Sequence, residues 1–215
     1  MTKKMYALLT GFEPFGTPRP KDNRSWEAVK QLSGEVLSAG DETSVVCRCH
    51  KLPVSYDPVT DIVPRLHEKE DYAIVIHCGA GESGTVKLEM VAHKEGYQRP
   101  GNGGPGDVPR DGRVPGYDTA DKLWTSVDVE TCRSVLAEAG WTSVATSMDA
   151  GRYLCEFTYY TSLALSKTRY PEQGRVPPLV VFVHVPPKSC DPYSDRELAD
   201  IMRRIVCFLA EQASS

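Results

Sequence analysis

Ala73-Ile74-Val75-Ile76 is a short, uninterrupted apolar run, and Gly79, Gly81 and Gly84 follow it closely. An apolar run of this length without polar alternation is typical of a strand that is buried on both faces. Further apolar runs lie at residues 6–9, 45–46, 144–146 and 179–183, with helical patterns between them. This alternation predicts an α/β protein with a mostly parallel sheet and helices on both of its faces.

Two helix starts have specific sequence signatures. Ser194 followed by Glu197 predicts a capping box, and Asp57-Pro58 predicts an N-cap with proline at the first helical position. Pro64 is expected to kink or shorten the second of these helices. The last helix is expected to bury one apolar stripe, formed by Leu198, Ile201, Met202, Ile205 and Leu209.

The composition excludes several classes of partner. With 215 residues, of which 40% are hydrophobic, the chain can bury a full core, and we expect one domain over residues 1–215. Charges of both signs are mixed and the net charge is −4, so we expect neither nucleic acid nor an anionic membrane as a partner. The first apolar segment ends at Thr10, too short for a secretory signal, which favours a cytoplasmic protein.

The seven cysteines are scattered and none forms a Cys-x-x-Cys pair. That spacing argues against a zinc knuckle and a thioredoxin-type motif, so reduced thiols are expected. The histidines other than His184 have no metal-ligand spacing. We therefore expect no metal site.

Residues 96–117 break the alternating pattern. They include seven glycines and four prolines and show almost no apolar periodicity. A connection of this length is expected to be either a functional lid or a mobile insertion.

The stretch Asp149-Ala150-Gly151-Arg152-Tyr153-Leu154-Cys155 places a cysteine at a strand-to-helix turn. The helix dipole favours the thiolate there, and the unpaired N–H groups of the first turn are free to hold an oxyanion. His184 ends the run at residues 179–183, and we expect both groups beyond the C-terminal ends of the strands. A cysteine and a histidine so placed are the parts that thiol-based acyl transfer requires.

Further motifs occur in order along the chain: Thr10-Gly11-Phe12-Glu13-Pro14-Phe15-Gly16, Asn23-Arg24-Ser25-Trp26-Glu27, Phe157-Thr158-Tyr159-Tyr160 and His184-Val185-Pro186. Together with the Cys155 stretch they resemble the pyroglutamyl peptidase type I family, also called pyrrolidone-carboxylate peptidase. The resemblance implies a cysteine peptidase that removes an N-terminal pyroglutamyl residue from peptides through a thioester acyl-enzyme. It also implies a three-layer α/β/α sandwich, phosphorylase/hydrolase-like, with a mixed sheet and without a cofactor.

The resemblance implies a Cys-His-Glu triad. The nucleophile matches Cys155 and the imidazole matches His184, while Glu89 best fits the place of the acid. Glu82 and Glu95 are rivals for that role. Asp149 is more typical of a turn residue that bonds backbone amides.

The resemblance also implies that the aromatics matching Phe12, Phe15 and Tyr153 wall the pyroglutamyl pocket and that Asn23 helps to hold the loop. Ordinary core packing is the simpler alternative for the two phenylalanines. For Asn23 the simpler alternative is that it only caps the helix that contains Trp26. Many bacterial members carry a glutamine where Cys78-Gly79-Ala80-Gly81 stands here, so this chain lacks that side chain as a hydrogen-bond partner for the substrate. The segment at 96–117 is more charged than the apolar arm by which bacterial members associate, which favours a monomer.

Two other functions fit parts of the pattern. A thiol amidase or nucleoside-type hydrolase would keep Cys155 with a different pocket. A redox or interaction protein would use Cys155 as a sensor thiol, with the aromatic turn as a docking surface.

Overall fold

The structure, a computed structural model, describes residues 3–16, 18–40, 42–81, 84–188 and 192–214. In these residues strands and helices alternate along the chain. The strands are β1 (Lys3–Phe12), β2 (Val36–Ala39), β3 (Thr43–Leu52), β4 (Tyr72–Ala80), β5 (Val86–Glu89), β6 (Val91–His93), β7 (Lys122–Trp124), β8 (Val144–Ser147) and β9 (Leu179–Val185). The α-helices are α1 (Arg24–Val29), α2 (Tyr56–His67), α3 (Val129–Glu138), α4 (Leu154–Lys167), α5 (Arg169–Glu172) and α6 (Asp195–Gln212).

Seven strands form one mixed sheet in the order β2-β3-β1-β4-β9-β5-β8. The strands β3, β1, β4 and β9 are parallel to one another, whereas β2 and β5 run antiparallel to their neighbours β3 and β9. Because β8 is parallel to β5, it also runs against the four central strands. The predicted mostly parallel, mixed sheet is confirmed.

The two faces of the sheet carry separate apolar cores. Helices α1, α3 and α6 pack on one face, where the predicted stripe of α6 is buried along its whole length. Helices α2 and α4 pack on the other face, around the aromatic side chains of Tyr56, Phe157 and Phe182. This arrangement is the expected three-layer α/β/α sandwich. None of the described helices has the length and apolarity that crossing a membrane requires.

The capping box of α6 is confirmed, because Ser194 Oγ accepts from the Glu197 N–H while the Glu197 carboxylate accepts from the Ser194 N–H. The predicted start of α2 is wrong by two residues. That helix begins at Tyr56 with Ser55 as its N-cap, so Pro58 lies in the first turn, where N–H groups lack helical partners. The helix also continues past Pro64 to His67, since packing on the sheet outweighs the lost hydrogen bond.

Close packing of β1 against α1 depends on the absence of a side chain at Gly11. A Cβ there would lie 2.7 Å from the backbone of Trp26. The Phe12 N–H also donates to Ser25 Oγ at 3.0 Å, which joins the end of β1 to the start of α1. The aromatic turn after β1 is therefore held close to this helix.

Residues 96–117 pack against the domain instead of extending from it. Tyr97 and Val114 are buried, and the Asn102 N–H donates to the Val54 carbonyl at 2.6 Å. Asp107 Oδ1 accepts from the N–H of Tyr56, the first residue of α2, at 2.9 Å. The segment thus forms one side of the surface beside the aromatic turn, while its closing over a ligand stays a prediction.

A chain of buried polar side chains crosses the core between the sheet and α2. Thr10 Oγ1 lies 2.7 Å from His77 Nδ1, and Ser162 Oγ lies 2.6 Å from His77 Nε2 and 2.8 Å from His67 Nε2. The Tyr170 hydroxyl lies 3.1 Å from His67 Nδ1 and donates to the His67 carbonyl at 3.2 Å. Every donor has an acceptor when Thr10, His77, Ser162 and His67 donate in that order, with both imidazoles neutral. Burial keeps them neutral, since it lowers the pKa of each to about 3.

These two histidines predict a loss of stability in mild acid. Their pKa in the folded protein lies below the unfolded value of 6.5, so protons bind preferentially to the unfolded chain as the pH falls below 6.5. Each contributes a slope of about 1.4 kcal/mol per pH unit to the free energy of unfolding. We expect His77→Gln to reduce the pH dependence of the free energy of unfolding by the contribution of about one proton. Urea unfolding between about pH 6.5 and pH 4 measures this dependence.

Thr10→Val is the matched control, since it removes the hydrogen-bond partner of His77 without removing a titrating group. It should lower stability and keep the wild-type slope. Equal slopes in the wild type and His77→Gln would contradict the assignment.

Candidate active site

A cavity of about 430 Å³ opens where β1, β4 and β9 end, and it brings together every residue that the sequence predicts for the site. Its lining includes Phe12, Phe15, Asn23, Glu89, Tyr153, Cys155 and His184, together with Ala80, Gly81, Lys87, Arg99 and Asp149. These residues come from four strands, the starts of α1 and α4, the turns after β1 and β8, and the segment at 96–117. Only the tertiary structure assembles them.

Glu89 and His184 form a hydrogen-bonded pair across neighbouring antiparallel strands. His184 Nδ1 lies 2.8 Å from Glu89 Oε1, and Glu89 is fully buried at the end of β5. The register pairs Glu89 with Phe182 and Lys87 with His184, so the carboxylate reaches the imidazole diagonally. Because Nδ1 faces the carboxylate, Nε2 is the nitrogen that remains for another partner.

The side chain of Cys155 is the second group that acts on the His184 imidazole. Burial is the largest single influence on the imidazole and lowers its pKa. The hydrogen bonds and charge interactions with Cys155 and Glu89 outweigh burial and raise the pKa of His184 to about 9. The imidazole is therefore cationic at neutral pH and stands between a carboxylate and a thiol.

Cys155 lies in the first turn of α4, whose N-cap is Tyr153. The turn at residues 148–153 sets this start, and Gly151 has a φ of +83°, a value that glycine tolerates best. Because helix N–H groups in the first turn have no carbonyl four residues earlier, those of Leu154 and Cys155 are unpaired within the helix. The predicted strand-to-helix turn is confirmed.

The expected route of Cys155 to the site needs correction. It was expected beyond the C-terminal end of a parallel strand, but β8 runs against β9. The turn at 148–153 instead returns the chain, and α4 places Cys155 against β4. A Cβ on Gly79 would lie 2.8 Å from Cys155 Sγ and 2.8 Å from the Phe182 ring, so Gly79 leaves the room that the sulfur needs.

The other described thiols lie in apolar surroundings that keep them protonated. Burial raises the pKa of Cys47, Cys49 and Cys132 to about 12 and raises that of Cys78 well above its ordinary value. Cys155 is partly exposed and lines the cavity, whereas none of the other described thiols belongs to the cavity lining.

Three aromatic side chains form an apolar wall on the side of the cavity that faces away from Glu89. Phe12 is buried at the end of β1, whereas Phe15 and Tyr153 are partly exposed with ring centroids 6.0 Å apart. The Arg99 guanidinium lies 4.4 Å from the Tyr153 centroid and 5.9 Å from that of Phe15. The alternative of ordinary core packing therefore fits Phe12 in part but does not fit Phe15.

Asn23 both caps a helix and holds the aromatic turn. Its Oδ1 accepts from the Ser25 N–H at 3.0 Å, and its Nδ2 donates to the Glu13 carbonyl at 2.9 Å. The two interpretations of Asn23 are thus compatible. Glu13 in turn accepts from Asn102 Nδ2 at 3.0 Å, which joins the aromatic turn to the segment at 96–117.

Neither Glu95 nor Asp149, the other described carboxylates considered for the triad, bonds His184. Glu95 is exposed and pairs with Arg113 at 3.5 Å, and Glu82 lies outside the described residues. Asp149 accepts from the Gly151 N–H at 3.0 Å and pairs with Arg152 at 2.9 Å, as expected for a turn residue.

Sequence reasoning missed a second buried carboxylate, Glu156. Its Oε1 lies 2.8 Å from His93 Nδ1, and its Oε2 lies 2.8 Å from the Arg152 guanidinium and accepts from the Arg152 N–H. Burial raises the pKa of Glu156 while His93 and Arg152 oppose that rise. This cluster fixes the chain just before Cys155, and the spacing of Arg152 and Glu156 by four residues was its only trace in the sequence.

The contact at Gly79 gives a direct test of the geometry. In Gly79→Ala the new methyl group meets both Cys155 Sγ and the Phe182 ring, so one of them must move. We expect alkylation of Cys155 by iodoacetamide, followed by mass spectrometry of the peptide, to change at least about 3-fold, and the variant to lose about 1–3 kcal/mol of stability.

Gly106→Ala is the matched control, because nothing lies within 4 Å of the added Cβ. It should keep the wild-type alkylation rate and stability. A Gly79→Ala variant with both wild-type values would show that the sulfur does not lie against β4.

Comparisons with known proteins identify the family of this chain. The sequence model of the pyroglutamyl peptidase family matches residues 5–192. Human pyroglutamyl-peptidase 1 is 37% identical over 203 residues, which cover 93% of this chain and 87% of the human protein. The pyrrolidone-carboxylate peptidase of Thermococcus kodakarensis is 33% identical and covers 85% of this chain and 81% of its own length.

Solved structures show the same fold. The pyrrolidone carboxyl peptidase of Fervidobacterium islandicum superposes with a TM-score of 0.80 at 27% identity, covering 96% of this chain and 99% of its own. A mutant of the Pyrococcus furiosus enzyme superposes with a TM-score of 0.82 at 23% identity, covering 97% of this chain and 99% of its own. The chain therefore belongs to the pyroglutamyl peptidase family.

Proposed function

We propose that Cys155, His184 and Glu89 are the catalytic triad with which this cysteine peptidase removes the N-terminal pyroglutamyl residue of peptides. The observation that carries the proposal is the position of His184, which bonds the fully buried Glu89 carboxylate and lines the same cavity as the accessible Cys155 thiol that raises its pKa. The roles follow from charge. The thiolate is the nucleophile, the imidazolium is the proton donor, and the carboxylate orients the ring and stabilises its cation.

In the acylation step Cys155 Sγ attacks the carbonyl carbon of the pyroglutamyl residue and a C–S bond forms. As the C–N bond breaks, His184 donates its Nε2 proton to the leaving amine, and a thioester remains on Cys155. A cationic His184 suits this step, since the amine leaves only after it gains a proton. Because the pKa of His184 is raised to about 9, its imidazole carries that proton at neutral pH.

In the deacylation step the neutral imidazole of His184 takes a proton from water. The hydroxide oxygen bonds to the thioester carbon, the C–S bond breaks, and pyroglutamate leaves, so that the thiolate of Cys155 and the imidazolium of His184 are restored. In both steps negative charge develops on the carbonyl oxygen. The unpaired N–H groups at the start of α4 are the donors we assign to it.

The apolar wall formed by Phe12, Phe15 and Tyr153 is the binding site that we assign to the pyroglutamyl ring, with Asn23 as the residue that holds the wall in place. A lactam ring is flat and uncharged, so it loses little solvation when it enters such a site. The amine of an N-terminal prolyl residue is charged, and its transfer to the same wall is unfavourable. Selectivity for the neutral ring follows from this difference.

The first test compares Cys155→Ala with the wild type on a pyroglutamyl-aminomethylcoumarin reporter. Loss of the nucleophile should lower kcat at least about 1,000-fold, because the remaining groups cannot form the thioester. Cys132→Ala is the control, since that thiol lies on the other face of the sheet. The wild type should also prefer this reporter to a prolyl reporter by at least about 100-fold.

Retained activity in Cys155→Ala would contradict the mechanism. Equal turnover of the prolyl and pyroglutamyl reporters would contradict the pocket. An alkylation-sensitive Cys155 in a wild type without turnover is the result expected of a redox-sensing protein.

The second test uses the pH dependence of kcat/KM. His184 has a raised pKa, so its proton is present at neutral pH and is lost as the pH rises through about 9. We therefore expect kcat/KM to fall above about pH 9, because the leaving amine is then no longer protonated. In Glu89→Gln the charge that supports the imidazolium is absent, and the fall should begin at a lower pH.

Glu95→Gln is the matched control for this profile, because Glu95 is exposed and pairs with Arg113. It should keep the wild-type profile. A Glu89→Gln profile that coincides with that of the wild type would remove Glu89 from the triad.

We further propose one domain over residues 1–215 with the insertion at 96–117, acting as a monomer in the cytoplasm. The packing of that insertion on its own chain supports the monomer, because Asp107 and Asn102 bind residues of the same chain. A molar mass near 23.7 kDa by light scattering is expected, and twice that mass would overturn the proposal.

A further inference from the structure

The strand order arranges the groups of the cavity in a row across the sheet. Phe12 ends β1, Gly79 of β4 lies against Cys155 Sγ, His184 belongs to β9, and Lys87 belongs to β5. Neighbouring strands are about 4.8 Å apart. The aromatic wall thus lies about two strands to one side of His184, and Lys87 lies one strand to the other side.

This order assigns each half of a substrate to one side of the cavity, and the assignment rests on the proposed function. The pyroglutamyl ring occupies the aromatic side, and the scissile carbonyl lies at Cys155. His184 must reach the leaving nitrogen to protonate it, so the first residue of the leaving peptide lies over β9 and β5.

Lys87 faces this leaving side. It is the register partner of His184 between β5 and β9, and directly opposed residues have Cβ atoms about 4.5–5.5 Å apart. Lys87 and Glu89 are two residues apart on one strand and therefore share a face of the sheet. Lys87 is half-buried and lines the cavity, so its ammonium group is within reach of groups on the leaving residue.

The charges around the cavity leave Lys87 available. Among the described residues its ammonium group has no ion-pair or hydrogen-bond partner, as the bonds and salt bridges of the cavity involve other groups. The two carboxylates of the lining bond other groups, Glu89 Oε1 the His184 imidazole and Asp149 Oδ1 the Arg152 guanidinium, and neither forms an ion pair with Lys87. The other lining cation, Arg99, lies over the Tyr153 ring on the opposite side.

We propose that Lys87 is a specificity-determining residue that binds a carboxylate on the first residue after the scissile bond. Two substrate groups supply that carboxylate: the free C-terminus of a pyroglutamyl dipeptide, or the side chain of an acidic residue. Both place one negative charge beside the lysine, in a cavity whose walls reduce the screening by water.

The test measures kcat/KM on two matched pairs of peptides. Pyroglutamyl-alanine and its amide differ in the terminal carboxylate, and pyroglutamyl-aspartyl amide and pyroglutamyl-asparaginyl amide differ in the side chain. The wild type should prefer the charged member of at least one pair by about 5-fold, as expected for a partly exposed ion pair. The pair that shows the preference identifies the source of the carboxylate.

Lys87→Met keeps the length of the side chain without its charge, and it should bring the ratio within each pair to about one. Lys87→Arg should restore the preference. Lys122→Met is the charge-matched control, because Lys122 is exposed on β7 outside the cavity lining. It should keep the wild-type ratio.

Raising the NaCl concentration from about 0.05 M to about 0.5 M should weaken the wild-type preference, because salt screens partly exposed charges. If Lys87 has only a structural role, Lys87→Met changes all four kcat/KM values together and leaves the ratios and their salt dependence intact. That result overturns the proposal. An active wild type with ratios of one in both pairs overturns the proposal for Lys87 and leaves the proposed function intact. A wild type that cleaves none of the four peptides overturns the proposed function as well.

Discussion

The hydrogen bond between Glu89 and His184 is the constraint around which the site is arranged. It joins two strands that run in opposite directions, so it exists only because β5 enters the sheet antiparallel to β9. A fully buried carboxylate is costly to desolvate, and the imidazole that contacts it offsets part of that cost by holding a proton. The same bond leaves one ring nitrogen of His184 for Cys155.

The position of the sulfur depends on a second constraint, which is steric. Helix α4 approaches the sheet so closely that Gly79 has no room for a side chain beside Cys155. Two groups of polar contacts fix that approach. Glu156 binds His93 and Arg152 at the start of the helix, and Ser162 bonds His67 and His77 two turns later. The nucleophile is thus placed by the whole length of its helix as well as by its own turn.

Much of this protein follows from local patterns in its sequence. The apolar runs on β1, β4 and β9 identified the central strands, and the stripe and capping box of α6 identified the last helix, because burial and capping leave short-range periodic traces. The short strands β2, β5, β6 and β7 have three or four residues each and were not identified. Their pairing supplies the energy that forms them, and the sequence of a strand does not show its partner.

By itself, the sequence determined which residues are chemically able to act: a cysteine at a helix start, a histidine at a strand end, and aromatics beside glycines. These depend on local backbone geometry, which neighbouring residues dictate. Only the tertiary structure decided which carboxylate meets the histidine, the direction of β8, and the place of Lys87 opposite His184. Those depend on strand order and register, which long-range packing selects among arrangements that local sequence leaves equally open.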